Sequence, residues 1–117
     1  MLSNIEKALS DYAEYLKADY EKRSYAKTLD RHLLVEFDIG SKFIKVIVGH
    51  MTNGVADTSR SSHSFICVKE YQGKKNLFVP GDILKSASWR APAKNFARGN
   101  VLKKDYGTIS WCGAWYD

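Results

Sequence analysis

The stretch "HLLVEFDIGSKFIKVIVG", residues 32–49, holds two apolar runs separated by a short break. In the second run, Ile44, Val46 and Val48 alternate with Phe43, Lys45 and Ile47. This period of two is typical of a strand with one buried face and one mixed face. The segment Asp38-Ile39-Gly40-Ser41 is typical of a turn. The stretch therefore predicts a β-hairpin.

Further strands are predicted on the C-terminal side of this hairpin. Residues 49–60, "GHMTNGVADTSR", read as an exposed loop. Strand character returns in "SHSFICVKE" and "NLFVPGDILK", on either side of "YQGKK", and "GTISWCGAWY" predicts a last short strand. Consecutive strands with short connections favour a mostly antiparallel sheet.

The N-terminal segment "LSNIEKALSDYAEYLKADYEKRS" predicts an amphipathic helix. Ser3 and Glu6 have the spacing of a capping box, and Leu2 stands where a hydrophobic staple would. The residues of the apolar stripe are Ile5, Leu9, Tyr12, Leu16 and Tyr20. This stripe needs a surface to cover it, which is either the sheet of its own domain or a partner, including a second copy of the chain in a homo-oligomer.

Together these elements predict an α+β fold in which an N-terminal amphipathic helix packs on a mostly antiparallel β-sheet. With 117 residues and 44% hydrophobic residues, the chain has the size of a single domain. We expect residues 1–31 to form its helical segment and residues 32–117 its β-rich core. A short helix or a loop is expected near residues 91–98, because Pro92 suits the first turn of a helix and Gly99 its end.

Composition also bears on location. The apolar runs are far shorter than the roughly 18 residues that span a bilayer, and charges occur throughout the N-terminal segment, where a secretory signal needs an apolar core. We therefore expect a cytosolic protein without a membrane partner. The two cysteines, Cys67 and Cys112, form no C-x-x-C pair, so reduced thiols are expected.

The positive charge is concentrated in one part of the chain. The net charge is +5, and residues 60–104 alone contain ten bases against Glu70 and Asp82, a local charge of +8. Such an excess favours an anionic partner, although a basic surface that serves only solubility, or that docks an acidic protein, has the same composition.

Several kinds of catalytic or metal site have little support. His63 and Cys67 lie about 13 Å apart if they share a strand, which is too far for a nucleophile and its base. Glu36 and Asp38 share a strand face at about 7 Å, as some glycosidase carboxylates do, but a solvated strand face explains them equally well. The histidines and cysteines lack zinc-site spacing, and neither common nucleotide-binding glycine motif occurs. We predict no catalytic residue, no metal and no cofactor.

Two segments together form the candidate ligand site, "TSRSSHS" and "SASWRAPAKNFARGN". The candidate ligand-binding residues are Arg60, Ser61, His63, Trp89, Arg90, Lys94, Asn95 and Arg98. Guanidinium groups match phosphate geometry, hydroxyl groups add donors, and an indole can stack on a base. In the alternative interpretation Trp89 and Phe96 are core residues, and the cations at 90, 94 and 98 form one solvated helix face.

The sequence also resembles a family of small accessory proteins of tailed bacteriophages. The blocks that carry the resemblance are "KFIKVIV", "SRSSHSFI", "GDILKSASWRAPAKNFARGNV" and "YGTISWCGAWY", over about residues 35–116. The resemblance implies a phage origin and the host-cell cytoplasm, and it transfers no catalytic residue. Small phage accessory proteins often bind host components, so it also favours a non-enzymatic role.

The sequence therefore predicts a non-enzymatic phage protein that binds an anionic ligand, either a nucleotide-type small molecule or nucleic acid, and countering host defence is one role for it. The alternative is a protein–protein inhibitor or virion-associated component whose basic surface docks an acidic host or phage protein. An enzyme that acts on nucleotides or nucleic acid is the third hypothesis.

Overall fold

The computed structural model describes residues 2–23, 31–73, 76–94, 97–107 and 109–110. Its elements in chain order are α1 (Leu2–Arg23), β1 (Arg31–Ile39), β2 (Phe43–Thr52), β3 (Val55–Ala56), β4 (Ser61–Cys67), β5 (Tyr71–Gln72), β6 (Leu77–Phe78), β7 (Asp82–Lys85) and β8 (Gly99–Asn100). The helix packs on a mostly antiparallel sheet, which confirms the predicted α+β class. None of the helices within these ranges is long and apolar enough to cross a membrane.

The main sheet has the strand order β1-β2-β4-β7-β8, and the short β3 pairs with β2. Each of these pairings is antiparallel. A separate two-stranded ribbon, β5–β6, lies apart from this path. The predicted strand over 76–85 is therefore two strands, β6 and β7, which belong to different sheets. Gly81, with φ of 91°, lies in the turn that separates them.

The predicted hairpin is confirmed as β1 and β2, paired from Arg31 with Thr52 to Ile39 with Ile44. The predicted loop over residues 49–60 is wrong in its first half, because β2 continues to Thr52 and turns directly into β3. Asn53 and Gly54 make this turn with φ of 53° and 79°. Asn-Gly is the preferred sequence for a two-residue hairpin turn with two positive φ angles, so the chain reverses without a long loop.

The apolar stripe of α1 is buried against the sheet, as the first interpretation of this helix predicts. The residues of this core are Ile5, Ala8, Leu9, Tyr12, Leu16 and Tyr20 from the helix, and Leu33, Ile44, Val46, Val48, Ile66, Ile83, Val101 and Ile109 from the rest of the chain. The stripe is therefore covered by its own sheet rather than presented to a partner. The helix begins at Leu2, so Ser3 lies within its first turn rather than before it, where the predicted cap would stand.

The other face of the sheet carries a smaller core. Its buried members are Phe65, Cys67, Phe78 and Leu84, with Phe43, Tyr71 and Ala97 packed against them. Phe65 lies opposite Lys45 on β2 and opposite Leu84 on β7. Residues on directly paired positions share a face, so Lys45 belongs to this second face.

The segment after β7 is extended rather than helical. In the described parts of residues 91–98, the backbone N–H of Ala93 donates to Lys85 and that of Arg98 donates to Ile83. These bonds add the segment to the side of β7, which confirms the loop alternative and excludes an anion site at a helix N-terminus there. The predicted last strand, "GTISWCGAWY", falls largely on residues 108 and 111–116, outside the described residues.

Candidate functional site

A tight loop after β7 places Trp89 on the surface. Ser86 pairs with Pro92 in an isolated bridge, and the backbone N–H groups of Ala87 and Ser88 both donate to the carbonyl of Ala91. The hydroxyl of Ser86 donates to the carbonyl of Ser88 at 2.9 Å. These bonds fix the loop around its tip. The Trp89 side chain there is 47% exposed, so it is not the core residue of the alternative interpretation.

The exposed indole carries a lysine from the neighbouring sheet. Lys45 Nζ lies 4.0 Å from the centre of the Trp89 ring, which is the geometry of a cation–π contact. Because Lys45 belongs to β2 and Trp89 to the loop after β7, this contact links the loop to the second face of the sheet. One face of the ring is therefore covered by an ammonium group of the protein itself.

Two open depressions adjoin this contact. The first has a volume of about 360 Å³, and its lining residues are Asp38, Gly40, Ser41, Lys42, Phe43, Lys45, Phe65 and Arg90. The second has a volume of about 370 Å³, and its lining residues are Ser61, Ser62, Ser86, Ala87, Ser88 and Trp89. The first is lined by three cations and one acid, and the second by four serines. Lys45 lines the first depression and Trp89 lines the second, and because these two side chains are in contact the depressions adjoin.

Lys94 extends the same surface beyond the first depression. Its Nζ lies 5.1 Å from the centre of the Tyr71 ring and 5.9 Å from that of Phe43. The second face thus holds two lysines over aromatic rings, each in a cation–π contact. We call the surface formed by Lys42, Lys45, Trp89, Arg90 and Lys94, together with the serines of the second depression, the basic face.

His63 does not belong to the basic face, contrary to the sequence-based prediction. Its side chain is 3% exposed and faces α1. The register between β2 and β4 shifts between Val46 and Ile47, which leaves His63 as an extra residue in a β-bulge. The bulge turns His63 to the same side as Ser64, toward Tyr12, and all three side chains are buried. His63 is therefore unavailable to a surface ligand.

A chain of hydrogen bonds accounts for this buried histidine. His63 Nε2 lies 2.7 Å from the carbonyl oxygen of Ser110, which only accepts, so Nε2 carries the ring hydrogen. Nδ1 then accepts from the Ser64 hydroxyl at 2.8 Å, and the Tyr12 hydroxyl donates to Ser64 at 3.0 Å. Burial lowers the pKa of His63, an effect partly opposed by its bond to Ser110. The histidine is thus a neutral structural residue.

Two of the predicted arginines are held within the protein, Arg60 by hydrogen bonds and Arg98 by burial. Arg60 donates through Nε to Glu36 at 2.7 Å, and its Nη1 donates to the carbonyls of Asp57 and Ser59. It therefore closes the loop before β4. The side chain of Arg98 is 8% exposed, which removes it from the predicted row of solvated cations at 90, 94 and 98.

The structure brings four of the predicted residues to the basic face: Ser61, Trp89, Arg90 and Lys94. Asn95, also predicted, lies outside the described residues. Sequence reasoning missed Lys42 and Lys45. The signal for Lys45 was present, because its position in the alternation of β2 puts it on the face opposite the buried Ile44 and Val46.

The remaining reactive side chains do not form a catalytic group. Cys67 belongs to the small core of the second face, whereas the β-bulge turns His63 toward the helix, so the two side chains lie on opposite faces of β4. Burial raises the pKa of the Cys67 thiol to about 12, with a further rise from Asp82. Among the described residues, no three His, Cys, Asp or Glu side chains are grouped in a way that could hold a metal ion.

Comparisons with known proteins give a family but no activity. A family model described as "Family of unknown function (DUF7717)" matches residues 1–116. No curated protein and no solved structure matches the chain.

Proposed function

The chain belongs to the DUF7717 family of unknown function, and we propose that it binds an anionic, phosphate-bearing ligand, a nucleotide or a nucleic acid, on its basic face. The observation that carries the proposal is the combination of cations, hydroxyls and an exposed indole on one surface. Guanidinium and ammonium groups attract phosphate, serine hydroxyls donate to it, and an indole offers a face to a base. The loop after β7 supplies the indole, Arg90 and two of the serines, and β2, the turn before it and β4 supply the lysines and the other serines of the depressions.

The charge balance of the basic face supports the same proposal. Lys42, Lys45 and Arg90 line the first depression together with a single acid, Asp38. Lys94 lies next to it, over Tyr71. The nearby carboxylate of Glu36 accepts from Arg60, so its charge is offset locally. Cations therefore outnumber acids across the surface, which favours an anion at close range.

The proposed role is binding without catalysis. A hydrolase or transferase needs a base or nucleophile that reaches the ligand. In the described part of the chain, His63 and Cys67 are both buried, and they lie on opposite faces of the sheet. The lysine ammonium groups and the Arg90 guanidinium can donate to phosphate, but they carry no acceptor atom.

The proposed setting rests on the resemblance to phage accessory proteins described above. In that setting the protein acts in the host cytoplasm during infection, and removal of a nucleotide or nucleic acid from a host defence system is one role that binding alone can perform.

Charge reversal tests the proposal. We expect Arg90→Glu and Lys94→Glu each to weaken binding of a fluorescein-labelled oligonucleotide roughly 3- to 30-fold at low salt, because an exposed contact is lost and a repulsion of similar size replaces it. Lys17→Glu is the matched control, since it makes the same charge change on an exposed position of α1. Fluorescence anisotropy measures the three affinities, and circular dichroism checks that each variant folds.

Equal losses in all three variants would show an effect of net charge alone and would overturn the proposed site. If the wild-type protein binds neither oligonucleotides nor mononucleotides, the proposal fails, and an acidic protein becomes the partner to test for the basic face.

A further inference from the structure

We infer that the ligand of the basic face is a single-stranded nucleic acid, and that one of its unpaired bases takes the place of Lys45 on the Trp89 ring. This inference rests on the proposed function. It adds the class of nucleic acid, a single strand, and the side chain that moves when it binds, Lys45. The observations behind it are the exposure of Trp89, the position of Lys45 above it, and the shape of the two depressions.

The loop presents Trp89 as a pre-formed platform. The bonds from Ala87 and Ser88 to the carbonyl of Ala91, together with the bond from Ser86, hold the loop through contacts within the chain itself. The backbone N–H of Arg90 lies 3.3 Å from the Ser88 hydroxyl, which adds a further bond on the other side of Trp89. A half-exposed ring in such a loop loses little freedom when a base stacks on it.

Lys45 is the group that a base would displace. Its Nζ lies 4.0 Å from the ring centre, where a cation–π contact at an exposed site is weaker than the stacking of a base on an aromatic side chain. Lys45 also lines the first depression beside Arg90. When a base displaces it from the ring, the Lys45 ammonium therefore remains beside Arg90, where both cations can contact the phosphates.

The form of the surface favours a polymer over a free nucleotide. Tight small-molecule sites bury about 70–90% of the ligand surface, whereas both depressions are open. Lys45 lines the first depression and Trp89 lines the second, and these two side chains are in contact, so a ligand that occupies both depressions meets this contact. A duplex hides its base faces in its own stack, and a single strand exposes them.

The test compares ligands that share phosphates and differ in their bases. Fluorescein-labelled oligothymidylate of about 12 nucleotides is titrated beside an abasic oligomer of equal length, a hairpin duplex with equal phosphate number, and thymidine monophosphate. Oligouridylate replaces oligothymidylate in a further arm, which tells RNA from DNA. We expect oligothymidylate or oligouridylate to bind roughly 5- to 150-fold more tightly than the abasic oligomer.

Two variants assign the contacts. Trp89→Ala should remove the preference for bases over the abasic oligomer, and Trp89→Phe should retain part of it. Lys45→Met keeps most of the side-chain length, and it should lower the slope of log affinity against log salt by about one between roughly 50 and 200 mM KCl. Lys17→Met, on the exposed side of α1, should leave that slope unchanged.

Each failure has a distinct meaning. Equal affinity for the base-bearing and abasic oligomers overturns the stacking of a base on Trp89 but leaves an anion site in place. Tighter binding of the duplex, or equal binding of the mononucleotide, overturns the single-strand inference alone. If none of these ligands binds, the proposed function itself is overturned.

Discussion

At the scale of single residues, the environment of His63 shows why residue type alone does not identify a site. A histidine among serines and an arginine is typical of a phosphate-binding segment, and the sequence "SRSSHS" led to that prediction. The β-bulge between β2 and β4 decides otherwise, because it turns His63 toward Tyr12 and away from the basic face. A shift of one residue in strand register moves a side chain to the opposite face. No local pattern in the sequence specifies such a shift.

The buried histidine predicts a pH dependence of stability. Burial lowers the pKa of His63 in the folded state below its unfolded value of about 6.5. The unfolded chain therefore binds the proton more readily, so the stabilisation that comes with a neutral ring is complete above about pH 6.5 and decreases as the pH falls toward the folded pKa. We expect the urea midpoint to decrease over this window.

His63→Gln should remove the part of the pH dependence of stability that comes from His63. Comparing wild type and variant at the same pH values separates this part from the contributions of His32 and His50. Parallel pH profiles for the two proteins would contradict the assignment of a neutral, buried ring to His63.

At the scale of elements, the sequence predicts most of the fold. The hairpin and the helix are recognisable because each has a regular apolar period, and burial follows that period in β2 and along α1. The short elements are not recognisable in this way. The two residues of β3 pair with β2 because Asn53 and Gly54 form a tight turn. The segment near 91–98 has helix-end residues but pairs with β7, since hydrogen bonds to a neighbouring strand outweigh local propensity.

The burial of α1 predicts that this helix is an integral part of the domain. Leu16 is fully buried between the helix and the sheet, so Leu16→Ala should lower the free energy of unfolding by about 2–5 kcal/mol through lost contacts and the cavity that remains. Glu14→Ala, on an exposed position of the same helix, should change it by less than about 0.5 kcal/mol. Urea denaturation measures both.

If Leu16→Ala costs no more than the control, the helix is an appendage that can dissociate from the sheet, and its stripe is again available to a partner.

At the scale of the whole molecule, the sequence shows the excess of positive charge, and the structure shows where the cations lie. Of the predicted cations, Arg90 and Lys94 lie on the basic face, whereas Arg98 is buried and Arg60 is bonded to Glu36. The net charge of a sequence window cannot distinguish exposed cations from buried or ion-paired ones, because exposure depends on contacts between distant segments. Only for Lys45 does the strand period in the sequence indicate on which face of the sheet the side chain lies.

The single acid in the first depression gives a prediction of opposite sign to the charge reversals. Asp38→Asn should strengthen oligonucleotide binding up to about fivefold, because it removes a repulsion beside Lys45 at little structural cost. Glu14→Gln removes the same charge from an exposed position on α1 and should have a smaller effect. Anisotropy titrations at low and high salt compare the two, and the difference should shrink as salt screens the charges.

A stronger response to Glu14→Gln than to Asp38→Asn would show that overall charge, rather than the first depression, governs binding.

The separation of the helix and the basic face by one sheet also has an evolutionary consequence. Side chains alternate along β2, so Lys45 can change while its neighbours Ile44 and Val46 keep their places in the core against α1. The loop that carries Trp89 is likewise held mainly by its own backbone bonds. Substitutions that alter the proposed ligand preference are therefore expected to cost little stability, so this preference can change while the scaffold is retained.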